Sequence, residues 1–128
     1  MATIRPFMAI RPTAPYAQAV AALPYDVMNS EEARELVKDQ PFSFLHIDKA
    51  EVDLPEGTDI YSDAVYAKAK ENLERMIQQG VFEQDLLPNL YIYRLTMNGK
   101  SQTGLVCCTS VDEYLDNTIK RHELTRAD

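Results

Sequence analysis

Residues 90–111 read LYIYRLTMNGKSQTGLVCCTSV, and the Asn98-Gly99 pair at the centre decides how the stretch folds. Asn-Gly is the dipeptide best suited to two successive positive φ angles, which a two-residue type I′ turn demands. The flanks are rich in Tyr, Ile, Leu and Val, residues that suit a pleated strand. Such a turn dictates the pairing: Met97 faces Lys100, Tyr93 faces Gly104 and Ile92 faces Leu105. Around Leu90, Tyr91, Val106 and Cys107 both faces are apolar, whereas Thr96, Lys100 and Ser101 make a polar tip. The base of the hairpin is therefore expected inside a sheet, with the tip in water.

Working outward, residues 63–79 carry Val65, Ala69, Leu73, Met76 and Ile77 at helical spacing, with Gly80 where a left-handed terminator is wanted. That helix spans roughly 25 Å at ~1.5 Å per residue, enough to cover a sheet face. A shorter helix is expected over residues 30–38. Asn29 and Glu32 have capping-box spacing, and Ala33, Leu36 and Val37 share one face. The apolar run FSFLHI at residues 42–47 reads as a short strand, and the acid-rich stretch 48–59 with Pro55 and Gly57 as a surface loop. Pro6, Pro12 and Pro15 keep the first fifteen residues extended. Residues 16–23 form a turn or two of helix before Pro24, and residues 112–117 a turn or short helix. The architecture expected is α/β (or α+β): a small mixed sheet with the antiparallel hairpin at its centre and the 42–47 strand beside it. One long helix and one or two short ones cover it.

The 128 residues suit a single domain, and the charged, unterminated run at the C-terminus reads as the front piece of a longer protein, whose remainder would be its first partner. Hydrophobic residues make up 45% and charged residues 26%, a globular rather than disordered composition. No apolar run suits a membrane span and the N-terminus lacks a signal-type apolar core, so a cytoplasmic protein is expected. The net charge of −7 argues against a generic DNA binder. Residues 26–90 hold fifteen acids and six bases, whereas the ends are basic: Arg5 and Arg11 at one, Lys120, Arg121 and Arg126 at the other. Were those ends to meet, they would make an anion-attracting patch. The adjacent Cys107 and Cys108 point to opposite faces of a strand, and both are expected to pack as small hydrophobes.

Two constellations could carry chemistry. At Leu23-Pro24-Tyr25-Asp26 a rigid proline aims Tyr25 and Asp26 toward a ligand; the plainer reading has Tyr25 packed and Asp26 capping the next helix. Residues 120–126, KRHELTR, bring an imidazole, guanidinium, carboxylate and hydroxyl together if helical. Lys120 and Arg126 would hold phosphate, Glu123 would bind Mg²⁺ or act as base, and His122 would move a proton. The plainer reading there is a solvated, ion-paired helix start. His46 reads as a buried histidine satisfied by a backbone carbonyl. There is no Walker loop, no G-x-G-x-x-G, no G-x-S-x-G and no H-E-x-x-H.

Taken in order, several segments resemble one prokaryotic family, catalogued as domain of unknown function 1015. They are IRPFMAIRP (4–12), LPYDVMNSEEAREL (23–36), FSFLHI with the later EVDLP (42–55), VYAKAKENL (65–73), GVFEQD (80–85), YIYRL and IKRHELTR (119–126). The resemblance covers nearly the whole chain and implies a role with no assigned substrate. Family members usually have proline where Leu23 stands, and run longer than this chain. The segment from His122 to Arg126, followed by Ala127-Asp128, is also similar to the Glu-Asn-x-x-Arg signature of ParB-like nucleotide-binding proteins. His122 and Glu123 replace the first two residues of that signature. Two functions are therefore expected: a phosphate- or nucleotide-handling module of a larger enzyme, contacting its ligand through Arg5, Arg11, Tyr25, Asp26, Lys120 and Arg126, or a non-catalytic binding or regulatory module.

Overall fold

Asn98 and Gly99 stand at φ 51° and 74°, the two left-handed residues of a type I′ turn, and the hairpin closes around them as its sequence demands. The computed structural model describes residues 1–121. Its elements run β1 (Ile4–Arg5), β2 (Ile10–Pro12), α1 (Ala17–Val20), α2 (Ser30–Val37), α3 (Leu45–Asp48), α4 (Asp63–Gln78), β3 (Phe82–Gln84), β4 (Tyr91–Met97), β5 (Lys100–Val106), β6 (Cys108–Thr109) and α5 (Val111–Leu115), with 3-10 turns at Tyr25–Val27 and Ala50–Asp53. The fold is mixed α/β with small antiparallel ladders: β1 with β6, β2 with β3, and β4 with β5. Two compact units make up the chain. One is Ile10–Glu83, the other Met1–Ala9 together with Gln84–Asp128.

The buried core of the described residues lies in the Ile10–Glu83 unit. One cluster joins Val20, Met76, Val81 and Phe82, flanked by Tyr16, Phe42, Ile47 and Leu73; a second joins Ala33, Val37, Leu45 and Val52. Helix α2 starts where its capping box stands: Glu32 N donates to Asn29 Oδ1 at 2.9 Å, and Asn29 N to Glu32 Oε2 at 3.0 Å. Helix α4 ends at Gly80, φ 72°, whose N–H bonds the Ile77 carbonyl. Thr13 N donates to the Val81 carbonyl at 2.9 Å, at one end of the β2–β3 ladder.

The strand expected at residues 42–47 is instead the entry into α3. An apolar run this short has no period that separates strand from helix. Three contacts choose the helical turn: Leu45 N donates to Ser43 Oγ at 3.3 Å, Phe44 N to the Val20 carbonyl at 2.9 Å, and Asn72 Nδ2 to the His46 carbonyl at 2.6 Å. The acidic stretch after it is the expected surface loop only over residues 54–59. Ala50, Glu51 and Val52 are buried in a 3-10 turn, because Arg34 on α2 grips that turn, donating to the carbonyls of Glu51 and Val52 at 2.7 Å each. The Glu51 carboxylate accepts from Ser30 Oγ at 2.7 Å and faces Lys49 Nζ at 3.4 Å. Within this unit α4 packs on α3 and on the Ala50–Asp53 turn.

In the other unit the β4–β5 register is the expected one, Met97 with Lys100 through Tyr91 with Val106. The expectation of a hairpin base inside a sheet is not met: β5 is the only strand beside β4 among the described residues. Ile92 is 70% exposed, and Tyr93, Leu95 and Leu105 are at least half exposed. Cys108, expected to pack, is also exposed, and Cys107 is half-buried; both are free thiols. Strand β5 ends at Val106 and β6 begins at Cys108, so the two cysteines do not share one continuous strand.

Candidate functional site

Strand β1 pairs with β6 so that Ile4 faces Thr109 and Arg5 faces Cys108. Side chains at directly opposed positions share a face of the ladder, so Arg5 and Cys108 stand on the same face. Just before β1, Thr3 donates twice to the carboxylate of Glu113, from its backbone N to Oε2 and from Oγ1 to Oε1, both at 2.7 Å. Glu113 is the third residue of α5, whose N-cap Ser110 accepts from Glu113 N at 3.4 Å. Ser110 and Glu113 have capping-box spacing, yet the carboxylate turns to Thr3 and ties the chain's first residues to α5.

These residues wall a cavity of about 360 Å³ lined by Thr3, Arg5, Cys108, Thr109, Ser110 and Glu113. That volume falls in the range of small-molecule sites, about 300–1,000 Å³. Its chemistry is three hydroxyls, one thiol, one guanidinium and one carboxylate. Among the described residues no hydrogen bond or ion pair holds the Arg5 side chain, and Arg5 is exposed. The Glu113 carboxyl lies below the ordinary glutamate value, first because the Thr3 backbone N–H and then because the Thr3 hydroxyl stabilises its charged form.

Of the other residues singled out in the sequence, none of those described lines this cavity. Arg11 is on β2 of the Ile10–Glu83 unit and has partners. Tyr25 and Asp26 are exposed on the 3-10 turn Tyr25–Val27. The plainer expectation there is corrected: Tyr25 is 59% exposed rather than packed, and Asn29 rather than Asp26 caps α2. Lys120 donates from Nζ to the Asn117 carbonyl at 3.0 Å. His122, Glu123 and Arg126 lie outside the described residues.

A second polar cluster, missed in the sequence, is buried in the Ile10–Glu83 unit. His46 is 8% exposed; its Nδ1 faces Asp53 Oδ2 at 2.9 Å and its Nε2 faces the Gln40 carbonyl at 3.1 Å. The expected backbone carbonyl is thus present, but a carboxylate sits opposite it. Both partners are acceptors for a ring N–H. Asn72 on α4 donates from Nδ2 to the His46 carbonyl and to Asp53 Oδ2 at 2.7 Å. The hydrogen bonds of the cluster join α4 to α3 and to the turn after it, and its work is to fasten them together. Among the described residues no group of three or more His, Cys, Asp or Glu side chains is arranged to hold a metal ion, and no helix is long and apolar enough to cross a membrane.

No curated protein matches the chain, and no solved structure does. A model of the family described as "Protein of unknown function (DUF1015)" matches residues 4–128, and the chain belongs to that family.

Proposed function

We propose that the protein handles a phosphorylated small molecule or nucleotide, as one module of a larger enzyme. The observation that carries this reading is the Arg5 guanidinium, without a protein partner among the described residues, on the wall of the hydroxyl-lined cavity beside β1 and β6. A guanidinium offers a fork of donors that matches a phosphate, and neighbouring hydroxyls extend the same hydrogen-bonding surface. In this reading Arg5 binds the phosphate, with the hydroxyls of Thr109 and Ser110 beside it. Lys120 and Arg126 add cationic contacts, Glu123 holds Mg²⁺ or acts as base, and His122 relays a proton. A ParB-like, non-catalytic binding or regulatory module is the second reading. It is favoured by Glu113: the one carboxylate in the cavity wall is already occupied by two donors from Thr3, which leaves that wall equipped to bind rather than to move protons.

A thermal-shift screen with inorganic phosphate, ATP, ADP and CTP, each with and without Mg²⁺, tests the first reading. A ligand at 100 times its Kd adds about 2.7 kcal/mol of stability, and Arg5→Gln is expected to remove that shift while leaving the unliganded melt unchanged. If no phosphate compound moves the melt, or if Arg5→Gln leaves the shift intact, the cavity is not a phosphate site. If binding survives and Glu123→Ala changes neither turnover nor any Mg²⁺-dependent shift, the enzymatic role gives way to the binding module.

A further inference from the structure

The β4–β5 hairpin is placed unusually for so apolar a ribbon. Two-stranded hairpins are marginal in water by themselves. This one leaves Ile92 70%, Tyr93 58%, Leu95 56% and Met97 77% exposed along β4. The unit that contains it holds none of the chain's buried core residues among those described. Its charge is also one-sided. Between Asp85 and Asp112 there is no acid, only Arg94 and Lys100, within a chain of net charge −7.

The register states which backbone groups are spare. In a two-residue hairpin the pair next to the turn, Met97 and Lys100, exchanges hydrogen bonds, and every second pair after it does the same. The N–H and C=O groups of Ile92, Arg94 and Thr96 therefore point away from β5, along an edge with no neighbouring strand among the described residues. The Arg94 side chain stands on the same face as Ile92 and Thr96. Its Nε donates to Thr103 Oγ1 at 3.1 Å, while its terminal nitrogens have no partner among the described residues.

We propose that this outer edge of β4 receives an extended acidic peptide segment of another protein as a third strand. Arg94 would face a carboxylate on the incoming strand, and apolar residues to either side would cover Ile92, Tyr93 and Leu95. Backbone pairing supplies the attachment and the alternating side chains the selectivity, as in other strand-addition interfaces. Charge chooses this occupant. A position opposed to Arg94 favours an acid and disfavours a base, and an antiparallel second copy centred on the same residue would set one Arg94 against the other. Two cations in a ribbon dominated by apolar side chains make a poor match for a nucleic-acid backbone, whose affinity grows with the number of phosphates neutralised. The surface is independent of the Arg5 cavity, and its failure leaves the phosphate reading untouched.

The test uses fluorescence anisotropy with a labelled nine-residue peptide of alternating Val and Thr bearing one central Glu, and the same peptide with a central Lys. The Glu peptide is expected to bind this chain about tenfold more tightly than the Lys peptide, and Arg94→Glu to reverse that order. N-methylation of alternate amides of the Glu peptide, which leaves the protein unaltered, is expected to abolish binding. Thr96→Pro, which removes one outward N–H, should do the same. Equal binding of the two peptides, or binding indifferent to N-methylation, overturns the proposal. So does self-association of the chain that excludes the peptide, or displacement of the peptide by oligothymidylate with steep salt dependence.

Discussion

Replacing Asn72 by leucine keeps the volume of a buried side chain on α4 and removes its two donors. Asn72 is 4% exposed, and leucine leaves two acceptors short of a donor, the His46 carbonyl and one oxygen of Asp53. A neutral hydrogen bond contributes about 1 kcal/mol and one to a charged group about 1.5–3 kcal/mol, with an added cost when the surviving partner stays buried. The Asp53 side chain is 29% exposed, which softens its share because that oxygen can turn partly to solvent. The expected loss is about 2–4 kcal/mol. Urea titration followed by far-UV circular dichroism should show the midpoint falling with the slope unchanged. Asp53→Asn in the same background should then cost less than it does alone, since the Asn72 bond to Asp53 is already gone. A loss below about 0.5 kcal/mol for Asn72→Leu, the range of ordinary surface changes, or strictly additive losses for the pair, would refute the idea that this cluster fastens α4 to α3 and the turn after it.

The Glu113 carboxyl should titrate below an ordinary glutamate in an NMR pH series, and Thr3→Ala should raise its midpoint only part of the way, because the backbone N–H is the larger cause and remains. As the folded value is the lower one, the stabilisation from this clasp is present above the ordinary glutamate value and lost as pH falls through the depressed one. Gly99→Ala, at φ 74°, should cost about 1 kcal/mol and loosen the amide protection of β4 and β5 before that of α4; equal loss across both would contradict it. In the native protein Cys108 should be alkylated before Cys107, as peptide mass spectrometry of a brief iodoacetamide pulse can show.

Local chemistry was legible where a motif is satisfied by its own neighbours. Asn98-Gly99 announced both the turn and the full β4–β5 register, and Asn29 with Glu32 marked the start of α2. What escaped depends on partners distant in sequence. The run at residues 42–47 became helical through bonds to Val20 and Asn72. The acids Glu51 and Asp53 look like solvated loop residues until Ser30, Arg34, Lys49 and Asn72 are brought to them. One signal was available: Asn72 interrupts the apolar stripe of α4 between Val65 and Met76, and a polar residue on a core face implies a buried partner. Arg5 stood out by charge alone. The Ser110 to Glu113 spacing pointed to a helix start, but nothing local could pair Glu113 with Thr3, a hundred and ten positions away.

The Ile10–Glu83 unit is an interruption in the course of the other one, which is built from the first nine residues and from those after Glu83. Its two ends run side by side where β2 meets β3. During translation the interrupting unit is therefore complete before the host unit can be: β1 waits for Cys108 and Thr109, its ladder partners, until all of residues 10–83 have been made. The adjacent ends also make residues 10–83 the natural piece to excise, with a short Gly-Ser bridge joining Ala9 to Gln84 in the remainder.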